Sequence, residues 1–329
     1  MNFNKMMFLM MIMVSTMLTI SSNNWISMWM GMEMNLMSFI PLIHSKMNHN
    51  SQSMMIYFLV QSIGSVILLF SILMNSFLMV SPYTITEEFA KMMMIVGMLI
   101  KVGAAPFHSW MPEMMSNMNW LNNIVLMTWQ KLAPLFVISN FNFNHWMFYA
   151  TIILSSTIGA IGGLNYSSLR KIMAYSSINH LSWMFMMMSY NYQWIKYLML
   201  YSLMIVMTCS FFYKYNAYYM NQLVSKTSMM EKITYSTLML SMGGLPPFLG
   251  FLPKWMVIQS MMNSSMIYIM LIMIMMSLIT LFYYMRMIMY FMMNYSMMNK
   301  WMIMKNNKMY NITMLYINFM LPVFFVFNF

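Results

Sequence analysis

Apolar residues run along this chain in blocks of 18 or more, and polar positions collect in short gaps between them. A block of that length crosses a hydrocarbon core about 30 Å thick as a helix. The pattern predicts about eleven spans, at 5–22, 25–44, 53–78, 88–114, 120–140, 146–163, 167–188, 195–214, 233–262, 266–291 and 310–328. Those at 88–114 and 233–262 are interrupted, and the others read as continuous. A membrane barrel would instead alternate over segments of about ten residues, and that alternation is missing. The fold class is therefore an all-α polytopic membrane protein.

Composition narrows the class. Hydrophobic residues are 61% of the 329, charged residues are 6%, and there is no aspartate. Too little polar surface exists to cover a soluble core. The single cysteine, Cys209, excludes a disulfide framework and a four-cysteine iron–sulfur site. Neither GxGxxG nor GxxxxGK[ST] occurs, so no nucleotide or flavin site is indicated and no cofactor is expected in this chain. The 60 methionines follow no ligand-like spacing and read as flexible hydrophobes. The first twenty residues lack an A-x-A cleavage site and a presequence-like composition, so they read as the first span. A chain this apolar is expected to be made in the compartment where it works.

Charge also predicts orientation. The N-terminal flank and even-numbered connections carry Lys5, Lys46, Arg170, Lys171, Lys214, Lys226, Lys232, Lys300, Lys305 and Lys308. The odd-numbered connections carry Lys91, Lys196, Glu87 and Glu88. The positive-inside rule then puts the N-terminus on the side of synthesis and the C-terminus opposite. The formal charge of +11 reads as topology plus attraction to anionic lipid, with no basic soluble face for nucleic acid.

The two interrupted spans share a motif. Pro106–Pro112 reads PFHSWMP and Pro247–Pro253 reads PFLGFLP, offset by 247 − 106 = 141 residues, and Gly103 aligns with Gly244. Gly243 and Pro246 add further breakers to the second copy. Proline removes a donor and clashes with the carbonyl one turn back. The freed carbonyls are tolerated in a membrane only against protein or a water-filled cavity. Lys101 precedes the first break and Lys254 follows the second, so a hydrated pocket is expected at each. The copies fall in spans of opposite parity, which is the mark of an inverted repeat with paired broken helices. The whole chain, 1–329, reads as one transmembrane domain. Its first repeat half covers about 25–165 with a break near 103–112. The second half covers about 166–292 with a break near 243–254, and 293–329 holds a basic loop and the last span.

Ionisable groups inside spans cost roughly 2.5–3.5 kcal/mol each on insertion scales, so their presence asks for a function. Glu33 is mid-span, the acid read as buried; Lys101 and Lys254 flank the breaks; Lys131 and His180 are central in spans 5 and 7. Burial disfavours a charged amine and a nearby carboxylate favours it. A lysine balanced between the two can take up and release a proton, so the five residues read as a proton relay. The competing reading is ion pairs that only lock helices together. Lys91, Arg170, Lys171, Lys196, Lys214, Lys232 and Arg286 read as solvated or lipid-facing flanks, and Glu113 as a helix cap.

The segments GMEMN, LIKVGAAPFHSWMPE, MTWQKLAP, GGLNYSSLRKIMAYSSINHLSW and GGLPPFLGFLPKW together resemble the antiporter-like proton-channel subunits of mitochondrial NADH–ubiquinone oxidoreductase, respiratory complex I. Within that group the likeness is to subunit 2 in a short, arthropod-type form. It implies a proton-translocating subunit in the mitochondrial inner membrane, with the N-terminus on the matrix side and the C-terminus on the intermembrane-space side. The family's key glutamate falls on Glu33, its broken-helix lysines on Lys101 and Lys254, its central lysine on Lys131, and a polar or histidine position on His180. Implied partners are the neighbouring antiporter-like subunits of the membrane arm and inner-membrane lipids such as cardiolipin. NADH, FMN, iron–sulfur clusters and ubiquinone would belong to other subunits. Full members have fourteen spans in two inverted repeats, so about eleven matches the animal form without the first three. The alternative is a stand-alone cation/proton antiporter.

Overall fold

Fifteen helices form in the computed structural model, which describes residues 3–44, 49–78, 84–141, 146–190, 193–224, 229–262, 266–293 and 308–321. No strand forms among these residues, and one isolated antiparallel bridge joins Ser168 and Tyr219. The chain divides into two units, Met1–Asn144 and His145–Phe329.

The first unit holds α1 (Phe3–Ser21), α2 (Trp25–Ile43), α3 (His49–Leu78), α4 (Thr84–Val102), α5 (Trp110–Asn117), α6 (Trp120–Thr128) and α7 (Leu132–Ser139). Small residues set its helix crossings. A Cβ on Gly31 of α2 would lie 3.1 Å from the Thr19 backbone nitrogen of α1. A Cβ on Gly97 of α4 would lie 2.7 Å from Leu68 of α3, and one on Gly64 of α3 would lie 3.0 Å from the stem of Lys101. Without hydrophobic driving force between helices in lipid, such close approach is what packing there depends on.

The second unit holds α8 (Trp146–Gly162), α9 (Leu169–Tyr190), α10 (Trp194–Tyr215), α11 (Met220–Val224), α12 (Met229–Gly243), α13 (Phe251–Met261), α14 (Ile267–Met293) and α15 (Lys308–Asn318). Helix α9 is its centre: every residue from Ser176 to Met188 is buried. Arg286 of α14 donates to the Leu164 and Tyr166 carbonyls and so closes the end of α8. Helix α14 exposes Tyr268, Met275, Phe282 and Met289 at seven-residue spacing, an apolar stripe suited to lipid.

Among the described residues, five helices are long and apolar enough to cross a membrane: α1, α2, Asn50–Ser76 within α3, α10 and α14. The spans expected at 88–114 and 233–262 are helix pairs, α4–α5 and α12–α13, as their interruptions predict. The span expected as continuous at 120–140 is also a pair, α6–α7, parted at Trp129–Lys131. Pro134 explains this, since its missing N–H and its ring both act on the Gln130 carbonyl one turn back. Around the gap, Gln130 N–H reaches back five residues to the Val125 carbonyl (3.0 Å). Part of the charge pattern and of the expected last segment, including Lys46, Lys226, Lys300, Lys305 and 322–329, lies outside the described residues.

Candidate functional site

The two proline breaks are built alike. Gly103 and Gly244 both adopt the left-handed conformation, with φ of +76° and +79°. Gly103 N–H donates to the Leu99 and Ile100 carbonyls at 3.0 and 3.2 Å, and Ala104 N–H donates to Leu99 at 3.1 Å. Gly244 N–H donates to Leu240 and Ser241 at 3.1 and 3.0 Å, and Leu245 N–H donates to Leu240 at 3.3 Å. Each partner is displaced by the same 141 residues. This is a Schellman-type cap, in which glycine escapes the Cβ penalty and the last carbonyls are satisfied. Both helices restart at equivalent places, Trp110 and Phe251, and Pro112 and Pro253 sit in the first turn, where a missing N–H costs nothing. Pro106, Pro246 and Pro247 are exposed at the tips, while Pro112, Gly243 and Pro253 are buried.

The charges do not repeat with the backbone. Lys101 ends α4 before its break, and Lys254 opens α13 after its break. The position matching Lys254 holds exposed Glu113, and the one matching Lys101 holds buried Met242.

In the first unit three of the five relay candidates come together. Lys101 Nζ lies 3.1 Å from Glu33 Oε1, with 2% of the lysine side chain and 24% of the glutamate side chain exposed. Glu33 is thus half-buried rather than enclosed, which corrects its reading as a buried acid. Lys131, 3% exposed, sits at the α6–α7 gap instead of mid-helix. Lys101 and Lys131 line one cavity of about 20 Å³ with Asn35, Tyr57, Gln61, Trp110 and Gln130. That space holds about one water molecule. The Trp110 indole N–H has no hydrogen-bond partner among the described residues. The hydrated pocket expected beside the first break therefore has both room and polar walls.

Polar residues not singled out in the sequence complete this cavity. Asn35 Nδ2 donates to Gln130 Oε1 at 2.8 Å, and Gln130 Nε2 returns a bond to Asn35 Oδ1 at 3.0 Å. Tyr57 O–H donates to Gln130 Oε1 at 3.4 Å, and Gln61 Nε2 caps the Lys101 carbonyl at 3.0 Å. Their signal was position, because each amide of the pair lies within two residues of a singled-out charge.

The second unit holds the other two candidates. Lys254, 6% exposed, donates to the Gly243 carbonyl at 2.7 Å, the last residue of α12. Its amine occupies the space a Gly244 side chain would need, 2.9 Å from a Cβ there. His180, 2% exposed, has Nδ1 2.9 Å from the Tyr197 hydroxyl and its ring 4.9 Å from that of Tyr201. Tyr197, Tyr201, Tyr283 and Tyr284 are all at most 1% exposed. Such an enclosure of phenols was not legible, since tyrosine in an apolar span reads as packing. His108 stays at the surface of the first break, with Nδ1 3.1 Å from the Pro106 carbonyl.

Some flank residues are misread by sequence. Lys232, expected at a solvated end, is 0% exposed and lies 5.3 Å from the Phe291 ring; Glu231 beside it is 2% exposed. Lys214 lies over Tyr310 at 4.2 Å. Packing of α14 and α15 around the start of α12 encloses them. Among the described residues no group of three His, Cys, Asp or Glu is placed to hold a metal.

Comparison with known proteins gives this geometry its context. The family described as NADH:quinone oxidoreductase/Mrp antiporter, TM, matches residues 22–280. NADH-ubiquinone oxidoreductase chain 2 of Anopheles gambiae is 45% identical over 268 residues, covering 80% of this chain and 78% of that one. A chain of the respiratory complex I structure from Thermus thermophilus superposes with a TM-score of 0.76 at 17% identity, covering 88% of this chain and 71% of that one. A chain of the Mrp complex from Dietzia gives 0.72 at 14% identity, covering 86% and 59%. The structural matches agree in fold, and the sequence match is far closer than fold alone requires. This multi-pass membrane chain, with its lysine-flanked helix breaks, belongs to the NADH-ubiquinone oxidoreductase chain 2 family of antiporter-like subunits.

Proposed function

We propose that this chain carries protons across the mitochondrial inner membrane through Glu33, Lys101, Lys131, His180 and Lys254. It acts as a membrane-arm subunit of a proton-pumping NADH:ubiquinone oxidoreductase, assembled beside other antiporter-like subunits. The observation that carries this reading is the Glu33–Lys101 pair, 3.1 Å apart, with Lys101 on a cavity that Lys131 also lines. A cation that is nearly enclosed and tied to a half-exposed carboxylate can lose its proton when the carboxylate moves away. The shared cap at Gly103 and Gly244 supports two repeat halves, about 25–165 and 166–292, which in this reading run in opposite directions through the bilayer.

NADH, FMN, iron–sulfur clusters and ubiquinone belong in this reading to partner subunits, whose redox chemistry supplies the free energy. The N-terminus faces the matrix and the C-terminus the intermembrane space, and anionic lipid such as cardiolipin contacts the basic flanks. The test is the proton-to-electron ratio of assembled complex carrying Lys101→Met or Lys254→Met. The ratio is expected to fall, with assembly largely kept. A normal ratio in both variants sinks the relay, and a loss only in proportion to assembly favours helix-locking ion pairs. Cation-dependent proton flux by the reconstituted chain alone would favour a stand-alone antiporter.

A further inference from the structure

We infer that the Asn35–Gln130 amide pair is a gate that controls proton passage between Lys101 and Lys131. The inference rests on the relay reading above. Each amide carries an acceptor-only oxygen and a donor-only nitrogen, and neither titrates near neutral pH. The pair is closed on itself by bonds of 2.8 and 3.0 Å, and Tyr57 supplies a further donor to Gln130 Oε1. That oxygen thus faces two protein donors, Asn35 Nδ2 at 2.8 Å and the Tyr57 hydroxyl at 3.4 Å. The cavity that the pair lines with both lysines holds about one water, at 20 Å³. In the closed state the amides line this one-water space with their mutual bonds made, and it has no room for a longer water chain.

Opening frees two acceptor oxygens and their N–H donors to water. The backbone is suited to that, because Gln130 belongs to the widened Trp129–Lys131 turn between α6 and α7, where its N–H already reaches back five residues to Val125. A shift of this segment moves Gln130 and Lys131 together. When the pair is open, a proton leaves the Lys101 ammonium, which becomes a neutral amine and releases Glu33. The proton crosses by water and arrives on the neutral Lys131 amine, which becomes an ammonium. No electrons move. Asn35 and Gln130 are positioning residues in this step, since neither holds the proton.

The test uses the intact complex purified from mitochondria and reconstituted in vesicles with a pH-sensitive dye. In Asn35→Ala the gate cannot close and the cavity widens. Passive proton leak per assembled complex is expected to rise on the order of tenfold, the population change that two neutral hydrogen bonds can hold. The proton-to-electron ratio should fall. The reciprocal exchange Asn35→Gln with Gln130→Asn keeps an amide pair and is expected to restore a low leak. If Asn35→Ala does not assemble, the isosteric Gln130→Glu replaces the closed amide with a titratable group, and a raised leak is again expected. An unchanged leak and ratio in the assembled variant overturns the gate, as does a leak in the reciprocal exchange equal to that of Asn35→Ala. Lys101→Met measured alongside separates the two readings. A normal ratio there sinks the relay itself, whereas a defective Lys101→Met with a tight Asn35→Ala sinks the gate alone.

Discussion

Lys101 keeps 2% of its side chain accessible and depends on Glu33 for its charge partner. Removing the partner of an enclosed charge costs more than the pair contributes, because the charge left behind stays desolvated. Glu33→Gln is therefore expected to lower the proton-to-electron ratio more than NADH oxidation, measured on assembled complex. Equal losses would mean the pair is only a fastener. The two left-handed glycines make a sharper contrast. Alanine at φ near +76° or +79° costs about 1–2 kcal/mol at either site. At Gly103 the new Cβ meets the Trp110 ring at 3.0 Å, and at Gly244 it meets the Lys254 amine at 2.9 Å. Gly103→Ala should act mainly on thermal stability, and Gly244→Ala should also depress pumping, by moving the Lys254 amine of the proposed relay. Thermal melting and proton transport on both variants separate these outcomes.

Helices in this chain end or continue for reasons only partly visible in one dimension. The α4–α5 and α12–α13 breaks were legible because glycines and prolines cluster there around a lysine. The α6–α7 gap was not, because a single proline is often absorbed by a membrane helix. Helix α2 makes the point, since Pro41 lies inside it and the helix continues to Ile43. What differs is depth. Pro41 is near an end, whereas Pro134 stands mid-span over Gln130, whose amide is held by Asn35. Pro134→Ala restores the lost donor and is expected to join α6 and α7. Amide hydrogen exchange across Trp129–Leu132 should slow, and pumping should fall as Lys131 turns from the cavity. Exchange that stays fast would place the cause of the gap in tertiary packing instead.

For the whole chain, hydropathy was enough to assign the class and most helix limits, because span length is set by bilayer thickness. It could not show which polar groups meet. Glu33–Lys101 joins residues 68 apart and Asn35–Gln130 residues 95 apart, and no local pattern encodes such pairing. Burial of Glu231 and Lys232 was invisible for the same reason, being produced by α14 and α15. The outer surface was more legible. Phe282, 63% exposed and central in α14, belongs to a stripe left exposed by the described residues. Phe282→Lys should cost about 2.5–3.5 kcal/mol in insertion and reduce assembled complex, while Phe282→Leu should be neutral. Blue-native gels of the two variants check this. Full assembly with lysine would show that the face meets water or a partner's polar surface.

Lys254 is carried by α13 yet bonds the final carbonyl of α12 at 2.7 Å, so one side chain stitches the two halves of a severed helix. A charged donor makes roughly twice as strong a bond as a neutral one. In the proposed relay, the stitch slackens each time this amine gives up its proton and tightens each time it regains one. The broken helix then behaves as a hinge whose stiffness is set by its own cargo, and chemical state and mechanical compliance become a single variable at that point in the chain.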